Sequence, residues 1–382
     1  MSCDLYNYSM AGVQGLHPYQ PGKPISTLSR EIGMDETEII KLASNENPLG
    51  PSPMVVEAIK SYLTSAPSEQ ARYPDGGAIL LRERLAAHHN CTPEQITVGN
   101  GSNDVLDLIA RTFLGEGRAS IFSEHAFAVY PLVTQAVGAT AVVVPALDWG
   151  HDLTAMAAAV DETTRVVWVA NPNNPTGNWV SREQLYKFLT NIPEQVVVVV
   201  DEAYIEFMQD RVNIDTAADI AADTVDSSKW LAEFPNLIVT RTFSKAYGLA
   251  GYRVGYSLSS ERVAELLNRV RQPFNVNSLA QTAAVAALSD NSHIKRVVEL
   301  NREEMAKFEY GFKQLNLKWI PSAGNFIAVD LGIEAAPIFR AMEQQGVITR
   351  PIANYGMPDH LRISIGLPEE NRRCLSVLRG LL

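Results

Sequence analysis

Lys245 stands inside the stretch Thr240-Arg241-Thr242-Phe243-Ser244-Lys245-Ala246-Tyr247-Gly248-Leu249-Ala250-Gly251-Tyr252-Arg253-Val254-Gly255. A short apolar run from Leu237 to Val239 precedes it and predicts a buried strand. A lysine amine attacks carbonyls well once burial or neighbouring cations suppress its charge. Thr242, Ser244 and Arg253 supply two hydroxyls and a guanidinium, a set suited to a phosphate. A lysine for a carbonyl beside groups for a phosphate points to a phosphorylated aldehyde, pyridoxal 5'-phosphate. The alternative, from these residues alone, is an exposed lysine in a glycine-rich loop.

Three more polar clusters fall where apolar runs end. Gly99-Asn100-Gly101-Ser102 follows Ile96-Thr97-Val98 and precedes a helical pattern from Val105 to Phe113. Free N–H groups at such a helix start favour a phosphate, although a plain turn and helix cap would look the same. The G-x-G-x-x-G spacing of dinucleotide sites fails at Asp104. Asn171-Pro172-Asn173-Asn174-Pro175-Thr176-Gly177 predicts a stiff loop in which cis prolyl bonds are allowed. Asp201-Glu202-Ala203-Tyr204 ends a run of five valines. A carboxylate at the mouth of so apolar a strand needs a partner. A pyridinium N–H is one such partner, and a structural ion pair or helix cap is another.

The elements that must position these clusters alternate. Strands are expected at Ile96–Val98, Ala119–Phe122, Ala141–Val144, Val166–Val169, Val196–Val200 and Leu237–Val239. Helical patterns occupy Tyr130–Val137, Leu153–Val160 and Ser181–Leu189 between them. Short, continuously apolar strands separated by helices predict an α/β domain with a mainly parallel sheet covered on both faces. Ligands then bind outside the carboxyl ends of the strands.

Upstream, the first 50 residues are proline- and glycine-rich, with one helix expected at Ile25–Ile32. They read as an arm over the body or over a partner subunit, or as a leader without structure. Pro53 to Leu63 predicts a helix with Ser52 as its cap. Asp210 to Phe234 is polar and acidic until a helical piece near Trp230, and reads as a surface insertion. Beyond Glu261, helices at Arg262–Val270, Gln281–Leu288 and Ile294–Leu315 precede strands at Asn325–Leu331, Val347–Arg350 and Leu361–Ile365. That pattern predicts a second, α+β domain.

The 382 residues exceed one usual core, which supports two domains. A net charge of −11 argues against a general nucleic-acid or anionic-membrane binder. Cys3, Cys91 and Cys374 lie far apart and read as free thiols in a reducing compartment. With no apolar signal core and no run long enough for a membrane span, a cytoplasmic location is expected. The histidines lack metal-ligand spacing, so no metal is expected, and His88-His89 reads as a solvated pair on a polar helix. A G-x-S-x-G elbow is missing, which leaves a hydrolase triad without support.

Taken in order, the motifs resemble a fold-type I PLP-dependent aminotransferase of the class-II family, and within it the histidinol-phosphate aminotransferases. The resemblance runs from Tyr19-Gln20-Pro21-Gly22 through Lys41-Leu42-Ala43-Ser44-Asn45-Glu46-Asn47-Pro48 and Arg72-Tyr73-Pro74-Asp75. It continues through the Gly99, Asn171, Asp201 and Lys245 clusters to Leu361-Arg362-Ile363-Ser364-Ile365-Gly366. It implies a large domain, 51–270, with a mainly parallel seven-stranded sheet, and a smaller α+β domain, 271–382. Residues 1–50 would form an arm and part of the small domain.

The resemblance also implies roles. Lys245 would bond the cofactor's aldehyde carbon and then move a proton between substrate and cofactor. Asp201 would pair with the pyridine nitrogen, while Asn174 and Tyr204 would bond the 3' oxygen. Phe127 would stack on the ring, where relatives often carry tyrosine. Asn100, Gly101, Ser102, Thr242, Ser244 and Arg253 would hold the cofactor phosphate, with Tyr73 reaching it from the other subunit of a homodimer. Arg362 would bind the substrate carboxylate, with Arg350, Tyr19 and Asn47 near the substrate's distal group. The implied reaction exchanges an amino group between L-histidinol phosphate and 2-oxoglutarate. Rivals are an aromatic aminotransferase acting on phenylalanine or tyrosine, alone or as a second activity, and a phospho-amino-acid decarboxylase. A non-catalytic regulatory relative would usually carry an added DNA-binding module.

Overall fold

The computed structural model describes residues 4–18, 21–65, 67–211 and 226–382. A seven-stranded sheet dominates it. Its strands run in the order Ile96–Gly99, Gly255–Leu258, Leu237–Thr242, Val197–Asp201, Thr164–Ala170, Ala119–Ser123, Thr140–Val144. Four neighbouring pairs are parallel, and Gly255–Leu258 lies antiparallel to both strands that flank it. That reversed strand is missing from the sequence expectation. Its four residues, Gly-Tyr-Ser-Leu, mix polar with apolar types and give no strand pattern.

The central strands are buried on both faces, which is why Val197–Val200 reads as unbroken valine. Helices cover the two sides. Ser102–Phe113 and Val129–Ala136 pack on one face through Leu106, Ile109, Tyr130 and Val133. On the other, Ile79–His89, Arg182–Asn191 and Ser278–Ala287 contribute Leu85, Leu185 and Ala283 to one core with Val169, Val198 and Val239. The expected domain boundary at 270 therefore falls ahead of a helix that belongs to the large core.

A four-stranded antiparallel sheet, ordered Arg350–Ile352, Met357–Ser364, Phe326–Asp330, Lys318–Ile320, forms the second layer. The helix Asn291–Gln314 links the two parts. Its early residues Val297 and Val298 meet Tyr204 and Phe207, whereas Met305, Phe308 and Phe312 enter the core of the smaller sheet. The expected strand Val347–Arg350 is divided: Val347–Ile348 pairs with Ile40–Lys41, and Arg350–Ile352 pairs with Met357–Ser364. The arm seats its helix Ala11–Gln14 on helix Val129–Ala136, where a Cβ on Gly12 would lie 2.1 Å from the Gln135 carbonyl oxygen. Most of the expected insertion at 210–234 lies outside the described residues, and its end forms a short helix at Ser227–Trp230.

Candidate active site

One cavity of about 390 Å³ opens at the carboxyl ends of the large sheet, beside the smaller one. Its wall includes Lys245, Asp201, Tyr204, Phe127, Asn174, Ser102, Thr242, Ser244, Arg253, Arg350 and Arg362. Strand order explains the grouping. Val197–Asp201 and Leu237–Thr242 are parallel neighbours with Asp201 level with Thr240, so their ends carry Asp201 and the Lys245 loop side by side.

Burial sets the electrostatics. The Lys245 amine is pushed down to about 8, first by burial and then by the Arg362 guanidinium. It donates to the Ser44 carbonyl at 3.0 Å and sits 5.7 Å from the centre of the Tyr204 ring. A neutral, nucleophilic amine is thus accessible near physiological pH. Burial raises Asp201, while bonds from Tyr130, Thr240 and the Ala203 N–H oppose it. The Tyr204 phenol is pushed up to about 12 by burial, and it accepts from Asn45 Nδ2 at 3.0 Å. Arg362 donates to Asn174 Oδ1 and to the Ala43 carbonyl, both at 2.6 Å.

At the other end, helix Ser102–Phe113 begins directly after Gly101, which has φ +87°. A Cβ on Gly101 would lie 2.5 Å from Arg253 Nη2, so glycine is what lets the guanidinium approach the helix start. A Cβ on Gly255 would lie 2.4 Å from the Ser102 nitrogen, closing the same cradle from behind. Arg253 itself is exposed, has φ +60°, and donates to the Ala250 carbonyl at 3.0 Å. Both Asn171-Pro172 and Asn174-Pro175 are cis and shape the loop that presents Asn174.

Beneath the cavity, neighbours along each strand face the opposite side. Arg241 and Glu202 lie there, buried and paired, with Arg241 Nε and Nη2 donating to Glu202 Oε2 at 3.0 and 2.7 Å. Arg241 Nη2 also donates to Asp226 Oδ1 at 2.6 Å. His89 is half-buried against this layer rather than fully solvated. It bonds the Tyr256 hydroxyl at 2.8 Å and is pushed down to about 3 by burial and by Arg241. His88 remains exposed.

Some expected site residues lie elsewhere. Asn47 turns its amide to the Gly50 and Ala246 carbonyls, at 3.2 and 2.8 Å, and braces the loop next to Lys245. Asn45 lines the cavity in its place, fixed by Ser364 and Asn325. Its sequence signal is the same Asn-Glu-Asn-Pro turn. Tyr73 is 81% exposed and stacked on Phe274 at 4.6 Å, on the rim of a second cavity. Asn100 and Gly101 form the turn behind Ser102. Tyr19 lies outside the described residues.

A lysine able to lose its proton, an aspartate on the neighbouring strand end and a hydroxyl–guanidinium cradle fit one pyridoxal phosphate. The family Aminotransferase class I and II matches residues 37–378. The chain belongs to that family. It is 56% identical over 382 residues to histidinol-phosphate aminotransferase 2 of Pseudomonas fluorescens, covering 100% of this chain and 99% of that one. It is 51% identical to histidinol-phosphate aminotransferase of Stutzerimonas stutzeri, with both chains covered in full. Among solved structures it is similar to the Sinorhizobium meliloti histidinol-phosphate aminotransferase in complex with pyridoxal 5'-phosphate. There the TM-score is 0.83 at 29% identity, with 98% of each chain covered. Pyridoxal phosphate is the cofactor of this aminotransferase.

That assignment gives the Gly101 cradle a direct test. Gly101→Ala should force Arg253 away from the helix start and strain the backbone by about 1–3 kcal/mol. The dissociation constant for pyridoxal phosphate, read by titrating the dialysed protein, is expected to rise about tenfold or more. Unchanged affinity would remove Gly101 from the phosphate site.

Proposed function

We propose that this aminotransferase moves an amino group between L-histidinol phosphate and 2-oxoglutarate, giving imidazole-acetol phosphate and L-glutamate, a step of histidine biosynthesis. The carrying observation is the pair Arg350 and Arg362, level with each other on antiparallel strands and both lining the Lys245 cavity. Like charges directly opposite one another cost stability, and an anionic substrate group offsets that cost. Phosphate on one substrate and carboxylate on the other are both such groups.

Pyridoxal phosphate, when bound, supplies the electron sink into which the substrate's Cα–H bond is broken. The chain supplies the rest. Asp201 would hold a proton on the ring nitrogen, and Asn174 and Tyr204 would fix the ring's hydroxyl side. Ser102, Thr242, Ser244 and Arg253 would anchor the phosphate, with Phe127 on the ring face. Lys245 Nζ would take the Cα proton and return it on the cofactor side. Arg362 and Arg350 would orient the anionic end of each substrate.

Tyr73, exposed beside an open cavity, supports a homodimer whose sites are shared across the interface. No described helix is long and apolar enough to cross a membrane. We place the protein in the cytoplasm on its composition. The test is single-turnover loss of cofactor absorbance with histidinol phosphate and, separately, with phenylalanine. Faster and tighter bleaching by histidinol phosphate is expected. Equal or faster bleaching by phenylalanine would transfer the protein to aromatic amino acids.

A further inference from the structure

Asp201 is 5% exposed, and each of its carboxylate oxygens already has a hydroxyl donor. Thr240 Oγ1 donates to Oδ1 at 2.9 Å from the neighbouring strand. Tyr130 Oη donates to Oδ2 at 2.9 Å from helix Val129–Ala136, which begins two residues after Phe127. A carboxylate oxygen has two acceptor directions. Tyr130 and Thr240 take one direction on each oxygen and the Ala203 N–H takes a third, which leaves one for the cavity.

Tyr130 is fully buried and cannot swing clear. Its ring lies stacked on Trp168, centroids 5.2 Å apart at 7°, and the Phe127 ring meets it edge-on at 5.8 Å. The same helix is tied to the sheet by a 2.7 Å bond between Thr134 and Ser120. Tyr130 thus joins two parts of the cavity that sequence separates, the ring-stacking Phe127 and the acid Asp201.

We propose that Tyr130 is a positioning residue for the reaction, holding the Asp201 carboxylate ionised and turned into the cavity. The inference rests on the assignment of Asp201 to the ring nitrogen made above. Burial favours a neutral Asp201, while the two hydroxyls and the Ala203 N–H favour the anion. Burial and Asp201 together hold the Tyr130 proton firmly, so it stays a donor across the working pH range. Tyr204 and Tyr355 are the other titratable groups that bear on Tyr130, and Arg362 bears on Tyr204. With the Tyr130 hydroxyl gone, Asp201 loses one of its three donors. Asp201 then takes up a proton more readily and holds the ring nitrogen's proton less well.

The test uses full-length, cofactor-loaded enzyme with Tyr130→Phe. A bond to a charged group in this setting is worth about ten- to a hundredfold in rate. We expect kcat to fall by that factor with the KM for histidinol phosphate changed less than about twofold. The acid limb of the pH profile should move to higher pH, because the variant's Asp201 protonates sooner. Apart from activity, the dissociation constant for pyridoxal phosphate should rise several-fold. In an Asp201→Asn background, adding Tyr130→Phe should change either quantity less than about twofold. A full-sized further loss in that background would show that Tyr130 acts through packing, and would overturn the proposal. An unchanged kcat and acid limb in the single variant would overturn it equally. Should Tyr130→Phe not fold, 3,5-difluorotyrosine at position 130 keeps the shape and strengthens the donor. The acid limb must then move to lower pH, and a stationary limb sinks the idea. Wild-type enzyme inert towards histidinol phosphate would instead count against the proposed substrate, leaving the cofactor-affinity readout to judge Tyr130.

Discussion

Lys245→Ala is expected to lower turnover by about four orders of magnitude or more, the combined loss of the nucleophile and the proton carrier. The reasons lie in the amine's surroundings. It sits on a rigid loop whose Gly248, at φ +70°, is pressed against the Gly50 carbonyl, so its reach into the cavity is fixed. Burial and the Arg362 charge bring its pKa to about 8, against an ordinary value of 10.5. A depressed lysine pKa penalises the folded protein wherever the amine is charged. That penalty is full below about pH 8 and vanishes above 10.5. Alanine removes it, so the cofactor-free variant should melt no lower than the cofactor-free parent at pH 7, with any gain fading as pH rises. The absorbance of the lysine-bound cofactor should vanish, while pyridoxal phosphate still binds reversibly through the Arg253 cradle. Rapid turnover in the alanine variant, measured with histidinol phosphate, would place the reactive amine elsewhere.

Much of this arrangement was legible in the chain because it follows from local physics. The valine run before Asp201 is apolar since its strand is covered on both faces, and the acid at its end stands out for the same reason. Glycines in the Lys245 and Gly99 stretches mark backbone positions where a Cβ would strike a guanidinium or a helix start. What stayed hidden depends on distant neighbours. The strand Gly255–Leu258 exists because a strand flanks it on each side, not because its own residues demand it. His89 stands on a polar helix, yet the Tyr256 hydroxyl from the sheet bonds it and partial burial lowers its pKa. Tyr130 carried no signal beyond an apolar helical position. Its hydroxyl acquires meaning only when Asp201, 71 residues later, is brought within 2.9 Å. Asn45 and Asn47 share one turn, yet Asn45 bonds Tyr204 at the cavity while Asn47 bonds the Gly50 and Ala246 carbonyls.

Arg362→Leu should impair both half-reactions, raising the KM for histidinol phosphate and for glutamate by about a hundredfold or more. A buried guanidinium that meets a phosphate or carboxylate in two parallel bonds contributes several kcal/mol, and leucine offers none of it. Arg362 is 6% exposed and lies 5.5 Å from the Phe326 ring centre, so water cannot readily replace it. Arg350, level with it on the next strand, retains its charge and should preserve a weak residual affinity for the more highly charged phosphate. Glutamate would then suffer more than histidinol phosphate. The substitution also acts on Lys245: removing the second-largest cause of its depressed pKa returns the amine towards 10.5. A smaller share of the amine is then neutral at pH 7, and the variant's residual activity should climb further into the alkaline range than the parent's. Arg362→Lys separates the two effects. It keeps the positive charge near Lys245 but loses the paired bonds, so its pH profile should resemble the parent's while its KM values resemble the leucine variant's. Single-turnover bleaching with each substrate across pH measures all of this. Undiminished bleaching of the leucine variant by histidinol phosphate would remove Arg362 from the phosphate site and leave that task to Arg350.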